Sequence, residues 1–128
     1  MPTVEDNGFV VWESNTIMRY LCATHAPATL WLIEAKVRAN AERWMDWANS
    51  TLWPTMVPLF RAYFRTAISN RDSNAINAAR LDTLKVLEIL DAQLGATAFV
   101  GGDVYTMGDN ATGCVKLVCS RIAMGLLA

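Results

Sequence analysis

The spacing of apolar residues changes period once along the chain. Residues 2–5 and 9–12 each read as a short strand, and Phe9-Val10-Val11-Trp12 is apolar throughout. Glu5-Asp6-Asn7-Gly8 lies between them, and Asn-Gly flanked by strand-forming residues is a strong hairpin signal. Beyond Ser14 the period becomes helical. Ile17, Met18, Leu21 and Cys22 predict a first helix over 15–24, ended by Ala26-Pro27 because a residue before proline avoids helical angles. A long helix is predicted over 34–65, with Val37, Ala41, Trp44, Ala48 and Leu52 on one stripe. Pro54 and Pro58 fall inside it and should kink it or split it in two.

A polar turn at Arg71-Asp72-Ser73-Asn74 leads into a third helix over 73–94. Leu84, Leu87, Leu90 and Leu94 mark its apolar stripe, interrupted by Asp91 and widened by Leu81, Val86 and Ile89, and Gly95 is placed to stop it. A loop follows over 99–103. Thr106-Met107-Gly108-Asp109 opens the last helix, Thr106 and Asp109 standing at the two ends of a capping box. The usual apolar staple to Tyr105 is weakened because its partner position holds Asn110. The prediction is a mainly α chain with one hairpin. A lone hairpin is marginal in water, and no strands precede this one, so the chain is expected to start in the middle of a fold.

Composition narrows the function classes. Of 128 residues, 53% are apolar and 18% charged, enough apolar material for a core. Eleven basic and twelve acidic residues are dispersed, which argues against a nucleic-acid partner and for a small molecule or a protein. Cys22, Cys114 and Cys119 are odd in number, fall among apolar helical neighbours and form no metal spacing. The start, Met-Pro-Thr-Val-Glu-Asp, is no signal peptide, and no apolar run reaches the ~18–20 residues of a membrane span. A cytoplasmic, metal-free protein is expected. His25 is the only histidine and reads as a surface residue, and no nucleophile triad is present.

Glu13-Ser14 at the strand-to-helix junction has two readings. Ser14 at an N-cap can bond the first-turn N–H groups, which is ordinary capping. The same N–H groups and the helix dipole also suit an incoming anion, with Glu13 able to pair with a neighbouring ammonium.

The run Pro2-Thr3-Val4-Glu5-Asp6-Asn7-Gly8-Phe9-Val10-Val11-Trp12-Glu13-Ser14-Asn15-Thr16-Ile17 resembles the "V-P-x-L, then E-S-x-A-I" segment of cytosolic glutathione transferases. Arg43-Trp44-Met45-Asp46-Trp47 resembles the start of the helical domain in bacterial members. Phe99-Val100-Gly101-Gly102-Asp103 with Thr106-Met107-Gly108-Asp109 resembles the family's loop and buried capping box. The resemblance implies the C-terminal part of a thioredoxin-like, glutathione-binding domain over 1–28: a remnant β-hairpin plus one helix. An all-helical glutathione transferase C-terminal-like bundle, truncated after about Arg121, would occupy 29–128. It also implies glutathione as co-substrate, with Ser14 taking the γ-glutamyl carboxylate, Glu13 the ammonium, and Met1 and Pro2, at the family's cis-proline position, the cysteinyl backbone. A hydrophobic electrophile is the implied second substrate. Arg19, Asp46 and Trp47 fall on the helices that form the family's dimer interface, so a homodimer is implied for the complete protein. The residue that activates the glutathione thiol is absent from this chain, so the isolated chain is expected to be weak or inactive. Two alternatives stand beside this reading: a non-catalytic docking or dimerisation module, and a gene fragment without a selected function.

Overall fold

The computed structural model describes residues 2–26 and 30–115. Strands β1 (Thr3–Asp6) and β2 (Phe9–Trp12) pair antiparallel in the register Thr3↔Trp12, Val4↔Val11, Glu5↔Val10, Asp6↔Phe9. The turn is Asn7-Gly8 with φ of 50° and 85°, a two-residue geometry whose twist suits paired strands. β1 lies one residue later than its pattern predicts. Asp6 joins the ladder and also holds side chains: its carboxylate accepts from Asn7 Nδ2 and from the Tyr20 hydroxyl, each at 2.8 Å.

Alternation puts Val4, Asp6, Phe9 and Val11 on one face of the hairpin. Helix α1 (Ser14–His25) covers that face, burying Val11 and Ile17 and bringing the Tyr20 ring to 5.3 Å from Phe9. Val10 and Trp12, on the opposite face, are more than half exposed.

Neither proline splits the long helix. Helix α2 (Ala35–Trp47) passes through a π turn (Ala48–Leu52) directly into α3 (Trp53–Phe64), with αR dihedrals at both junctions. Pro54 explains the turn: its ring clashes with a carbonyl four residues back, so the preceding turn widens. The Trp53 N–H accordingly donates five residues back, to Ala48 O. Of the predicted stripe, Ala41, Trp44, Ala48 and Leu52 are buried, and Val37 is exposed.

A single 3₁₀ turn (Ile68–Asn70), unannounced by the pattern, precedes helix α4 (Ser73–Ala96). Asp72 caps α4, its Oδ1 accepting from the N–H groups of Asn74 (2.9 Å) and Ala75 (3.1 Å). Two expectations for this helix fail. It runs through Gly95 and ends at Ala96, where Thr97 turns extended and its N–H still reaches Gln93 O. The inward face is also rotated from the leucine stripe: Leu81, Leu84 and Leu94 are exposed, while Thr83 and Leu90 are buried. Ile76, Ala79, Val86 and Leu87 complete that face, packing on Leu52, Met56 and Leu59 of the long helix. Thr83 fits because its hydroxyl lies 2.8 Å from Ala79 O and 3.1 Å from Thr55 O, leaving no polar atom stranded.

The last helix, α5, is described over 107–115, and the remainder of its predicted length, with Cys119, lies outside the described residues. At its start Asp109 accepts from Thr106 N (2.8 Å), Thr106 Oγ1 (2.9 Å) and Val100 N (2.8 Å), tying the preceding loop to the helix. In place of an apolar staple, the Tyr105 hydroxyl donates to Asn110 Oδ1. Cys22, Met45 and Met107 form the core where α1, α2 and α5 meet. Among the described residues no helix is long and apolar enough to cross a membrane.

Candidate functional site

The junction from β2 to α1 has no loop. Trp12 ends the strand, Ser14 begins the helix, and Glu13 alone makes the turn, at φ 72° and ψ 119°. A side-chain-bearing residue at that φ is strained, by about 1–3 kcal/mol. Replacing Glu13 with glycine should therefore raise stability by roughly 1 kcal/mol, the relieved strain exceeding glycine's added chain entropy. Urea unfolding measures this, and a less stable Glu13→Gly chain would refute the strain.

The structure corrects the capping reading of Ser14. Glu13 occupies the N-cap and Ser14 is the first helical residue. No side chain caps α1: the first intrahelical bond runs from Ile17 N to Glu13 O at 2.8 Å, and the Ser14 hydroxyl makes no hydrogen bond within the described residues. The first-turn N–H groups and an exposed hydroxyl are thus presented together. An open helix start of this kind favours an anion.

These groups border a groove of about 410 Å³. Ser14, Asn15 and Met18 line it from α1, Met45, Asn49 and Trp53 from the long helix, and Asn110, Ala111, Cys114 and Val115 from α5. Among the described residues no charged side chain lines it, and these walls form an apolar slot edged by a hydroxyl and amides. Glu13, exposed, stands outside the lining, next to Ser14.

Of the other residues singled out in the sequence, Pro2 is exposed just before β1, and Met1, with the bond joining the two, lies outside the described residues. Arg19 bonds within the chain, Nη2 to Asp46 Oδ1 at 2.7 Å and Nε to Glu42 Oε1 at 3.3 Å, which links α1 to α2. Pairs this exposed contribute about 0–1 kcal/mol. Trp47 meets the Trp44 ring edge-on at 5.2 Å and packs against two core clusters. His25 is exposed, with Nε2 3.6 Å from Asp6 Oδ2.

The cysteines differ from the uniform apolar setting their sequence suggests. Cys22 is buried and burial pushes its thiol pKa up, whereas Cys114 is exposed at the groove. Tyr20 is also pushed up, first by its hydrogen bond to Asp6. Sequence reasoning missed Asn15 and Asn49, whereas a tryptophan as core or pocket wall was its reading and Trp53 lines the groove. The spacing of Met45, Asn49 and Trp53 at every fourth residue was legible, but nothing local marked that face as a groove wall.

Comparison with known proteins identifies the family of this fold. Residues 1–23 match the family model described as "Glutathione S-transferase, N-terminal domain". Glutathione S-transferase GstB of Escherichia coli K12 is 36% identical over 107 residues, which cover 84% of this chain and 51% of that protein. The apo theta class glutathione S-transferase of Xanthomonas axonopodis pv. citri superimposes with a TM-score of 0.83 at 39% identity, over 88% of this chain and 59% of that one. Its glutathione-bound form gives 0.82 at 39% identity, over 87% and 58%. The chain therefore belongs to the glutathione S-transferase family, of the bacterial type. The fold is mainly α, a thioredoxin-like hairpin and helix followed by a glutathione transferase C-terminal-like helical bundle. The chain spans about half the length of the curated relatives it matches.

Proposed function

We propose that this chain binds glutathione at the start of α1 and serves a glutathione transferase that joins glutathione to uncharged, hydrophobic electrophiles. The observation that carries this is the uncapped first turn of α1, with the Ser14 hydroxyl at the edge of a groove whose described walls are mainly apolar. Ser14 and its N–H take the γ-glutamyl carboxylate, Glu13 the ammonium, and the backbone at Met1-Pro2 the cysteinyl unit. A solved relative with glutathione bound, at 39% identity, supports the assignment.

In the reaction the glutathione thiol gives up its proton to water, and the thiolate sulfur attacks an electrophilic carbon. The carbon–sulfur bond forms as the leaving group departs with its electron pair. The groove contributes orientation and an apolar wall; Ser14 and the asparagines that line it are poor bases at neutral pH. Slow or absent turnover by the isolated chain is the expected outcome with glutathione and a chlorinated aromatic electrophile. In this reading 1–28 belongs to the glutathione-binding domain and 29–128 to the helical domain, the protein is cytoplasmic, and α1 and α2, which carry Arg19, Asp46 and Trp47, face a second copy in a homodimer.

Ser14→Ala should weaken glutathione binding about tenfold or more, because a hydrogen bond to a charged group contributes roughly 1.5–3 kcal/mol. Calorimetric titration of the purified chain tests it. A parent chain with no affinity for millimolar glutathione, or a Ser14→Ala chain with unchanged affinity, overturns the assignment.

A further inference from the structure

The long helix changes its hydrogen bonding where it passes the groove. In an α-helix, positions four apart drift about 40° around the axis at each step. Met45, Asn49 and Trp53 would then spread over about 80°, yet they share one wall. The π turn at Ala48–Leu52 corrects the drift, because a π turn takes more residues per revolution. The same correction keeps Trp44, Ala48, Leu52 and Met56 in the core.

Met45 O accepts the Ala48 N–H and also the side-chain amide of Asn15, at 2.9 Å and 30 residues away in sequence. Asn15 adjoins Ser14, and both line the groove. Its bond therefore runs from the proposed glutathione-anchoring turn of α1 to the end of α2 that enters the π turn, and it sets the separation of two groove walls. Beyond that point Asn49 makes no side-chain hydrogen bond within the described residues, and the Trp53 ring stands partly exposed. An amide and an aromatic face are left available to a ligand.

We propose that Asn15 is a positioning residue for the second ligand: by tying α1 to the last turn of α2, just before the π turn, it brings Asn49 and Trp53 against the group carried on the glutathione sulfur. The inference rests on the glutathione reading. It deepens that reading by assigning the chemistry of the group: uncharged, with an apolar body on Trp53 and a hydrogen-bond acceptor for the Asn49 amide. A charged group would lose hydration against walls that, among the described residues, return no opposite charge.

The test compares two ligands on the purified chain by titration calorimetry, glutathione and S-(4-nitrobenzyl)glutathione. The readout is the ratio of their affinities. Asn15→Asp removes the donor and sets a carboxylate against the Met45 carbonyl, and Asn15→Ala removes the link. Both should lower the ratio about tenfold while glutathione affinity changes less than about threefold. Trp53→Ala and Asn49→Leu, at exposed positions, should lower the nitrobenzyl arm alone. A ratio unchanged in the Asn15 variants, or an equal fall in both arms, would show a merely structural role and overturn the inference while the glutathione reading stands. A parent chain that binds neither ligand overturns both.

Discussion

Gly108→Ala should lower stability by about 3 kcal/mol and the melting midpoint by roughly 10 °C. A Cβ at Gly108 would lie 2.6 Å from Ala41 O, 3.4 Å from Ala41 C and 3.2 Å from Val100 Cγ2. The obstruction is the backbone of α2, which cannot swing aside as a side chain would. Ala41 is fully buried, so α5 has no room to slide along α2. Overpacking typically costs about 1–3 kcal/mol, and rigid surroundings put this site at the upper end. Gly95→Ala is the matched control. It sits inside α4 with nothing within 4 Å of the added Cβ, so alanine should stabilise by up to about 1 kcal/mol. Thermal melts of the two variants should shift in opposite directions. A Gly108→Ala midpoint within about 2 °C of the parent would mean that α5 does not seat on α2 at this glycine.

Asp109→Ala should cost about as much, through a different mechanism. The carboxylate accepts three hydrogen bonds, and two of its donors are backbone N–H groups of the buried residues Val100 and Thr106. Losing a cap costs about 1 kcal/mol, and stranding a buried donor adds roughly 1–3 kcal/mol. The sum, roughly 3 kcal/mol, is a large part of the ~5–15 kcal/mol that holds a domain folded. Asp109→Asn should cost less, since the amide oxygen can accept from one of those N–H groups but its NH₂ then faces the other. Urea unfolding ranks the three chains as parent, Asn, Ala. Equal stability of the Asn and Ala variants would show that the side-chain oxygens do not carry the bonds. Because Gly108 and Asp109 seat the same end of α5, their effects should fall short of additive in the double variant.

Local chemistry was readable, and so were the elements built on it. The Asn7-Gly8 turn, the helix start at Asp72-Ser73 and the box at Thr106 and Asp109 depend on residues within four positions of each other, and the chain spells them out. The long helix was readable as a helix but not in its detail. Two prolines suggested a kink or a split, and burial of Trp44, Ala48, Leu52 and Met56 along one side favours a continuous helix with one widened turn. On α4 the leucine count misled, because leucines occur on both faces, and contact with α2 and α3 selected the side containing Thr83 and Leu90.

The sequence by itself determined the hairpin, the succession of helices, the family they belong to and the Glu13-Ser14 pair at the start of the first helix, because each is written in residue types at short spacing. Only the tertiary structure decided that Ser14 stands uncapped beside a groove, that Arg19 and Asp46 bond one another, and that Asn15 reaches the carbonyl of Met45. Those outcomes depend on contacts between residues from 27 to about 100 positions apart, and such contacts follow from how whole faces pack, which no short stretch of chain encodes.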